Sequence, residues 1–203
     1  MQNICEAWCK RLIMTTNKET AISGVLEIYP DRFDDDRGFF SEIYNLRRLA
    51  ALGINETFVQ DNLSLSTYPP VLRGLHFQRR PHAQAKLIGV MTGSIFDVIV
   101  DIREGSPTYK QWFGLKISAK KGNQLFVPKG FAHGFLTLEA NTSVFYKVTD
   151  YYSKEDERSI RYDDPDIGIT WPATSDDPII SDKDKAAPML VDVDNNYKYL
   201  GGT

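Results

Sequence analysis

The sequence predicts an all-β protein, a barrel or sandwich of short strands with short helices at its periphery. Three observations predict it. Apolar and aromatic runs of strand length recur along the chain. Gly, Pro, Asn and Asp separate them at short intervals. One stretch alone reads as a helix. The runs are GVLEIYP (24–30), GFFSEIY (38–44), ETFVQDN (56–62), VLRGLHF (71–77), AKLIGVM (85–91), SIFDVIVDI (94–102), WFGLKIS (112–118), NQLFVP (123–128), GFLTL (134–138) and SVFYKV (143–148). The helix falls at LRRLAAL (46–52), with Gly53 as its C-terminal cap. The last 50 or so residues are richer in charge and proline, and are expected to form turns and short helices packed on the barrel.

The chain has 203 residues, 42% of them hydrophobic and 25% charged, which fits one soluble domain. A chain of this length buries roughly 70% of its unfolded surface and needs no disulfide or metal to stay folded. The domain is expected to span residues 21–203, with 1–20 as an N-terminal extension. A net charge of -3 argues against a nucleic-acid surface, which needs clustered Lys and Arg in excess. No apolar run reaches the ~18 residues of a membrane helix, and the first 20 residues lack the pattern of a secretory signal. The two cysteines, Cys5 and Cys9, have no nearby His and suit neither a metal site nor a disulfide framework. These features together predict a cytoplasmic protein.

AKLIGVM and SIFDVIV are separated by Thr92-Gly93, a two-residue loop that predicts a hairpin in which Met91 pairs with Ser94. Counting outward, Ile88 faces Asp97 and Lys86 faces Ile99. Lys86 and Asp97 then share an otherwise apolar face, a costly arrangement unless they pair. They read equally well as a structural ion pair at a barrel mouth or as a cation held where negative charge develops.

VLRGLHFQ (71–78) poses a problem. Strict alternation sends Arg73 to one face of the strand and His76 to the other. If both are to reach one pocket, either Gly74 between them permits a bulge or bend that re-aims the side chains, or Arg73 reaches around an edge by its length.

GNQLFVPKGFAHGF (122–135) carries Gly122, Pro128, Gly130 and His133 in the spacing of the second cupin motif. This refines the fold class to a cupin, or jelly-roll, β-barrel. Metal-binding cupins also need a His-x-His and a Glu in a first motif. Here His76 and His82 lie six apart, no Glu falls between His82 and Gly93, and the chain has three His in all. The expectation is no metal and no cofactor. What remains for chemistry is His, Asp, Lys and Tyr, the groups of proton transfer; each alone reads as structural, and together in one barrel they favour a site.

RGLHFQ, AQAKL, FDVIVDIREGSPTY, LFVPKGFAHGFLTL, YKVTDYY, DDPDIGITWP and ISDKD together resemble the dTDP-4-dehydrorhamnose 3,5-epimerases. The likeness runs from about Gly24 to Pro188. It implies a cofactor-free epimerase that inverts C3 and C5 of dTDP-4-keto-6-deoxy-D-glucose and gives dTDP-4-keto-L-rhamnose. By the same resemblance His76 is the base beside the C4 ketone, Asp184 holds its imidazole, Tyr146 is the acid on the opposite sugar face, and Lys86 stabilises the enolate. Arg37, Arg73, His133 and Lys183 match nucleotide or phosphate contacts. Glu42, Gln60, Asp61 and Asn62 match nucleotide-side positions, and Glu157 a further substrate contact. The family also implies a homodimer with shared sites, in which Arg37 and Glu42 serve the neighbour. A 3-epimerase or 3,4-ketoisomerase on a related sugar is the near alternative, and a non-catalytic nucleotide-sugar-binding cupin the distant one. The chain departs from the family at STYPP (66–70), at the basic turn Arg79-Arg80-Pro81-His82, and at residues 1–13.

Overall fold

The protein is described by a computed structural model covering residues 15–201. The expectations for residues 1–13, Cys5 and Cys9 fall outside the described residues. Two sheets face each other as a jelly roll. The first runs in the order β1 (Thr16–Glu19), β2 (Leu26–Tyr29), β10 (Gln124–Val127), β7 (Lys86–Thr92), β12 (Thr142–Val148) and β5 (Gln60–Ser66). The second runs β13 (Glu157–Ser159), β6 (Val71–Gln78), β11 (Phe131–Thr137), β8 (Ser94–Asp101) and β9 (Trp112–Ser118). β14 (Ile179–Ile180) adds to β6 in parallel, and β3 (Arg32–Asp35) with β4 (Gly38–Ser41) forms a hairpin outside both sheets. Residues 16–19 fall within the stretch read as an extension, yet they form β1, paired with β2 from Thr16–Tyr29 to Glu19–Leu26.

The helix forms where the sequence places it, as α1 (Leu46–Ala51). The Asn45 side chain caps it by accepting from the Arg47 and Arg48 amides, and Gly53 follows at φ 84°. α1 lays Leu49 against Ala85, Leu87 and Phe126 on the outer face of the first sheet. Inside the barrel Ile88, Val90, Ile95, Ile99, Phe131, Phe135 and Val144 form the main core. A third layer, from the C-terminal segment, packs Ile160, Ile167, Leu190 and Tyr197 on the outer face of the second sheet. Strands covered on both faces read as continuous apolar runs rather than alternating ones. β11, buried throughout, is the example.

The predicted hairpin across Thr92-Gly93 does not form. β7 pairs with β10 and β12, and β8 with β11 and β9, so the two strands lie in opposite sheets. Thr92-Gly93 is instead a corner. Thr92 pairs with Ser143, and a Cβ at Gly93 would collide with the Thr142 Oγ1. Turn chemistry fits a hairpin or a corner alike, and the long-range partners decide. Lys86 and Asp97 still face the same interior, from opposing walls.

β6 resolves the alternation problem with a bulge. On β11, His133 and Phe135 are two apart; their partners on β6, His76 and Arg73, are three apart. The extra residue on β6 turns Arg73 and His76 to one side. Two glycines make room for it: Gly74 has φ 122°, and its Cβ would lie 2.5 Å from the Gly134 Cα. Gly74→Ala is therefore expected to lose roughly 1–3 kcal/mol from strain alone, with the backbone clash adding to it. Denaturant unfolding checks this; an unchanged midpoint refutes the close-approach argument.

Candidate active site

A cleft of about 780 Å³ opens between the sheets at one end of the barrel. The first sheet contributes Gln60, Asn62, Lys86 and Tyr146 to its lining, and β6 and β11 contribute Arg73, His76 and His133. Glu157 on β13 and Lys183 and Asp184 on α2 (Asp182–Lys185) complete it. Ten predicted residues thus meet in one place, His76 on one wall and Tyr146 on the other.

Asp184 is aimed by its helix start. Ser181 precedes α2 in extended conformation, and its Oγ accepts from the Asp184 amide at 3.1 Å. The carboxylate turns back to β6, where Oδ2 accepts from the Gly74 amide at 3.3 Å and Oδ1 lies 2.6 Å from the His76 Nε2. Burial pushes the Asp184 pKa up, but the His76 hydrogen bond and charge and the Gly74 amide outweigh it and hold the carboxyl below its ordinary range. An ionised Asp184 at His76 Nε2 leaves Nδ1 as the nitrogen that exchanges a proton.

Tyr146 faces inward on β12 between Val144 and Val148, opposite Ile88 and Asn62 on its neighbours. Burial raises its pKa, with the Arg73 charge opposing and the Glu157 charge adding to it, so the phenol keeps its proton at neutral pH. Lys86 is 8% exposed, and its Nζ donates to the His76 carbonyl at 3.3 Å. Burial lowers its pKa to about 8, against the attraction of Asp97 and Glu157. A second His–Asp pair lies beside the first: His133, the register partner of His76, holds its Nε2 2.8 Å from the Asp97 Oδ2. Among the described residues no group of three or more His, Cys, Asp and Glu is arranged to hold a metal ion.

Three expected residues are elsewhere. Asp61 alternates away from Gln60 and Asn62 on β5 and takes the Lys147 ammonium at 2.6 Å outside the cleft. That corrects its place among the binding residues: the period of two splits the Gln-Asp-Asn triplet between faces. Arg37 sits on the β3–β4 turn, bonded to Asp35, with 89% of its side chain exposed. Glu42 pairs with Arg48 of α1. Within one chain neither reaches the cleft. The sequence reading also missed residues that the cleft includes. Tyr152 donates to the Glu157 Oε2 at 3.1 Å, and Lys183 lies 2.6 Å from the same oxygen. Tyr152 sat in YKVTDYY without a signal of its own. Asp97, bonded to His133 but not itself in the lining, did carry one, as a carboxylate on an apolar face.

The geometry agrees with the comparisons. The family model for dTDP-4-dehydrorhamnose 3,5-epimerase matches residues 19–192. The chain belongs to this family. It is 51% identical over 173 residues to the dTDP-4-dehydrorhamnose 3,5-epimerase of Salmonella typhimurium, covering 85% of this chain and 93% of that one. Its fold is similar to the Legionella pneumophila dTDP-6-deoxy-D-glucose-3,5-epimerase RmlC in complex with dTDP-4-keto-L-rhamnose, with a TM-score of 0.88 and 44% identity over 92% of this chain and all of that one. It is also similar to the Bacillus anthracis dTDP-4-dehydrorhamnose 3,5-epimerase with TDP and PPi bound, with a TM-score of 0.83 and 50% identity over 86% of this chain and 99% of that one. The protein is an isomerase with the jelly-roll fold of these epimerases.

Lys86 gives this site a pH signature. Its ammonium is expected to lose its proton near pH 8, against 10.5 for a free lysine. The charged form that stabilises an anion is therefore present below pH 8 and lost above it. Carbon-13 NMR of the labelled lysine checks this; a midpoint near 10.5 shows a hydrated ammonium and refutes the buried placement.

Proposed function

We propose that the protein inverts C3 and C5 of dTDP-4-keto-6-deoxy-D-glucose to form dTDP-4-keto-L-rhamnose, with His76 as base and Tyr146 as acid. The observation that carries this reading is their placement on facing sheets, with Lys86 in the wall beside them. The C4 ketone makes the hydrogens at C3 and C5 removable. His76 Nδ1 takes the proton, the C–H electron pair moves onto the C4 oxygen, and the Lys86 ammonium offsets the charge of the enolate. Tyr146 then delivers its own proton to the other face of the same carbon, which inverts it. Imidazolium and phenolate return to their starting forms by exchange with solvent before the second carbon reacts. Asp184 stabilises the imidazolium that each step creates. The ketone is the electron sink, so this route calls on no metal and no organic cofactor.

Arg73, His133, Lys183, Gln60, Asn62 and Glu157 hold the nucleotide diphosphate in this reading. We place Arg37 and Glu42 in the site of a second copy, as a homodimer with shared sites. The β3–β4 hairpin stands outside both sheets, and β5 is an unpaired edge with Leu63 72% and Leu65 57% exposed. Such edges invite another strand. No helix among the described residues is long and apolar enough to cross a membrane; cytoplasmic residence belongs to the same proposal.

In deuterated water with dTDP-4-keto-6-deoxy-D-glucose, the wild type should place label at both C3 and C5. His76→Asn should abolish labelling at both. Tyr146→Phe keeps the base, so exchange with retention continues at one centre while inversion fails. Each loss is expected at about 10²–10⁴-fold. Mass spectrometry and NMR read the label; undiminished exchange in His76→Asn sinks the base assignment, and label at C3 alone makes the protein a 3-epimerase.

The dimer has its own test. Sedimentation at assay concentration should give twice the chain mass, and Arg37→Ala should weaken dTDP binding about tenfold or more. A fully active monomer removes the shared site.

A further inference from the structure

Residues 150–153 form a loop at the mouth of the cleft whose backbone is held by glutamine amides. The Gln84 Nε2 donates to the Asp150 carbonyl at 2.8 Å, and the Tyr152 amide donates to the Gln60 Oε1 at 3.2 Å. Gln78 takes two places. Its Nε2 donates to the Tyr151 carbonyl at 3.2 Å, and its Oε1 accepts from the Ser153 amide at 2.8 Å. The same Nε2 donates to the His82 carbonyl at 2.7 Å, in the basic turn.

Gln78 is 4% exposed, so these bonds form where water does not compete for them. It ends β6, the strand that carries Arg73 and His76. Its own carbonyl is held from behind by the Tyr197 hydroxyl at 2.6 Å. Asn196 clasps the next turn residue, donating to the Arg80 carbonyl at 2.9 Å and accepting from the Arg80 amide at 3.0 Å. A buried amide satisfied at both ends, on a central strand and braced by the C-terminal segment, fixes whatever it grips.

What it grips bears Tyr152. That side chain is 57% exposed at the cleft mouth, and its hydroxyl, through the Glu157 Oε2, reaches Lys183 next to Asp184. We propose that Gln78 is a positioning residue for substrate binding: its buried amide latches the 150–153 loop to β6 and thereby sets the Tyr152–Glu157–Lys183 side of the cleft. The inference rests on the reading of the cleft as a nucleotide-sugar site. Gln78 acts on binding and leaves His76, Tyr146 and Lys86 where they are.

Gln78→Met keeps the shape and removes the amide. With dTDP-4-keto-6-deoxy-D-glucose as substrate it should raise KM about tenfold or more, with kcat within about threefold of the wild type. Tyr152→Phe should raise KM too, and the double variant should be no worse than the poorer single one, since both act through one contact. Unchanged KM, a loss confined to kcat, or fully additive effects overturn the proposal. Should Gln78→Met fail to fold, Gln78→Glu decides by the same criteria, because a carboxylate keeps the Ser153 bond and loses both donors. Hydrogen exchange on the unliganded protein separates this idea from the epimerase reading. The Ser153 amide should exchange at least about tenfold faster in Gln78→Met; equal protection overturns the latch even if the wild type turns nothing over, an outcome that refutes the epimerase reading instead.

Discussion

At Gly74 and Gly134 two backbones approach so closely that a Cβ on the first would lie 2.5 Å from the Cα of the second. The site depends on this contact. It lets β6 carry one more residue than β11 opposite it, and the extra residue brings Arg73 and His76 to one side. The same bend presents the Gly74 amide to Asp184, whose other oxygen holds His76. One local departure from regular pleating therefore sets the direction of the imidazole, the position of its carboxylate and the access of a guanidinium to the cleft. Any side chain at either glycine pushes the strands apart and moves all three.

Around that bend the barrel buries charge that a core ordinarily excludes. Lys86, Asp97, His133 and Asp184 are all below 9% exposed. Asp184 satisfies both oxygens, one on His76 and one on a backbone amide. Asp97 satisfies one on His133 and leaves Oδ1 buried without a hydrogen-bond partner. An unpartnered buried oxygen is destabilising by itself. It is tolerated beside the Lys86 ammonium, whose proton Asp97 helps retain. The stabilising side of the balance lies in the three apolar layers: the interior, α1 on one sheet, and the C-terminal segment on the other. The proposed chemistry draws on groups that cost stability, and the flanking layers offset them.

Most of the architecture was legible because strand length and turn residues are local properties. α1, with its asparagine cap and glycine stop, was legible for the same reason. The bulge at Gly74 could be anticipated from a charge pattern that alternation forbids. Other features were hidden by their dependence on distant partners. Thr92-Gly93 has hairpin chemistry, but Ser143 and Ser118 claim its flanks from two sheets. β13 and β14 are three and two residues long, and exist because β6 has edges to offer. Among site residues the likeness to the epimerases located those that share the cleft. It did not separate Asp61 from Gln60 and Asn62, which takes the period of two applied residue by residue. Tyr152 and Gln78 carried no sequence signal, since a tyrosine or glutamine near a strand end is ordinary until its partners are known.

The proposed reaction places one demand on the scaffold that a single sheet meets poorly. Inverting a carbon needs a base on one side of the ring and an acid on the other. Groups on one sheet face point the same way, whereas facing sheets stand about 10 Å apart, room for one sugar ring between opposed side chains. His76 projects from the second sheet and Tyr146 from the first, and each belongs to a strand hydrogen-bonded on both sides. Such strands hold their side chains more firmly than loops do. The groups read as nucleotide contacts include Glu157 and Lys183 at the rim, where short elements hang on β6 and the 150–153 loop is tied by glutamines. In the proposed reading the base and acid stand on strands paired on both sides, the nucleotide contacts are shared between strands and rim elements, and a second chain would pair at the edge left open at β5.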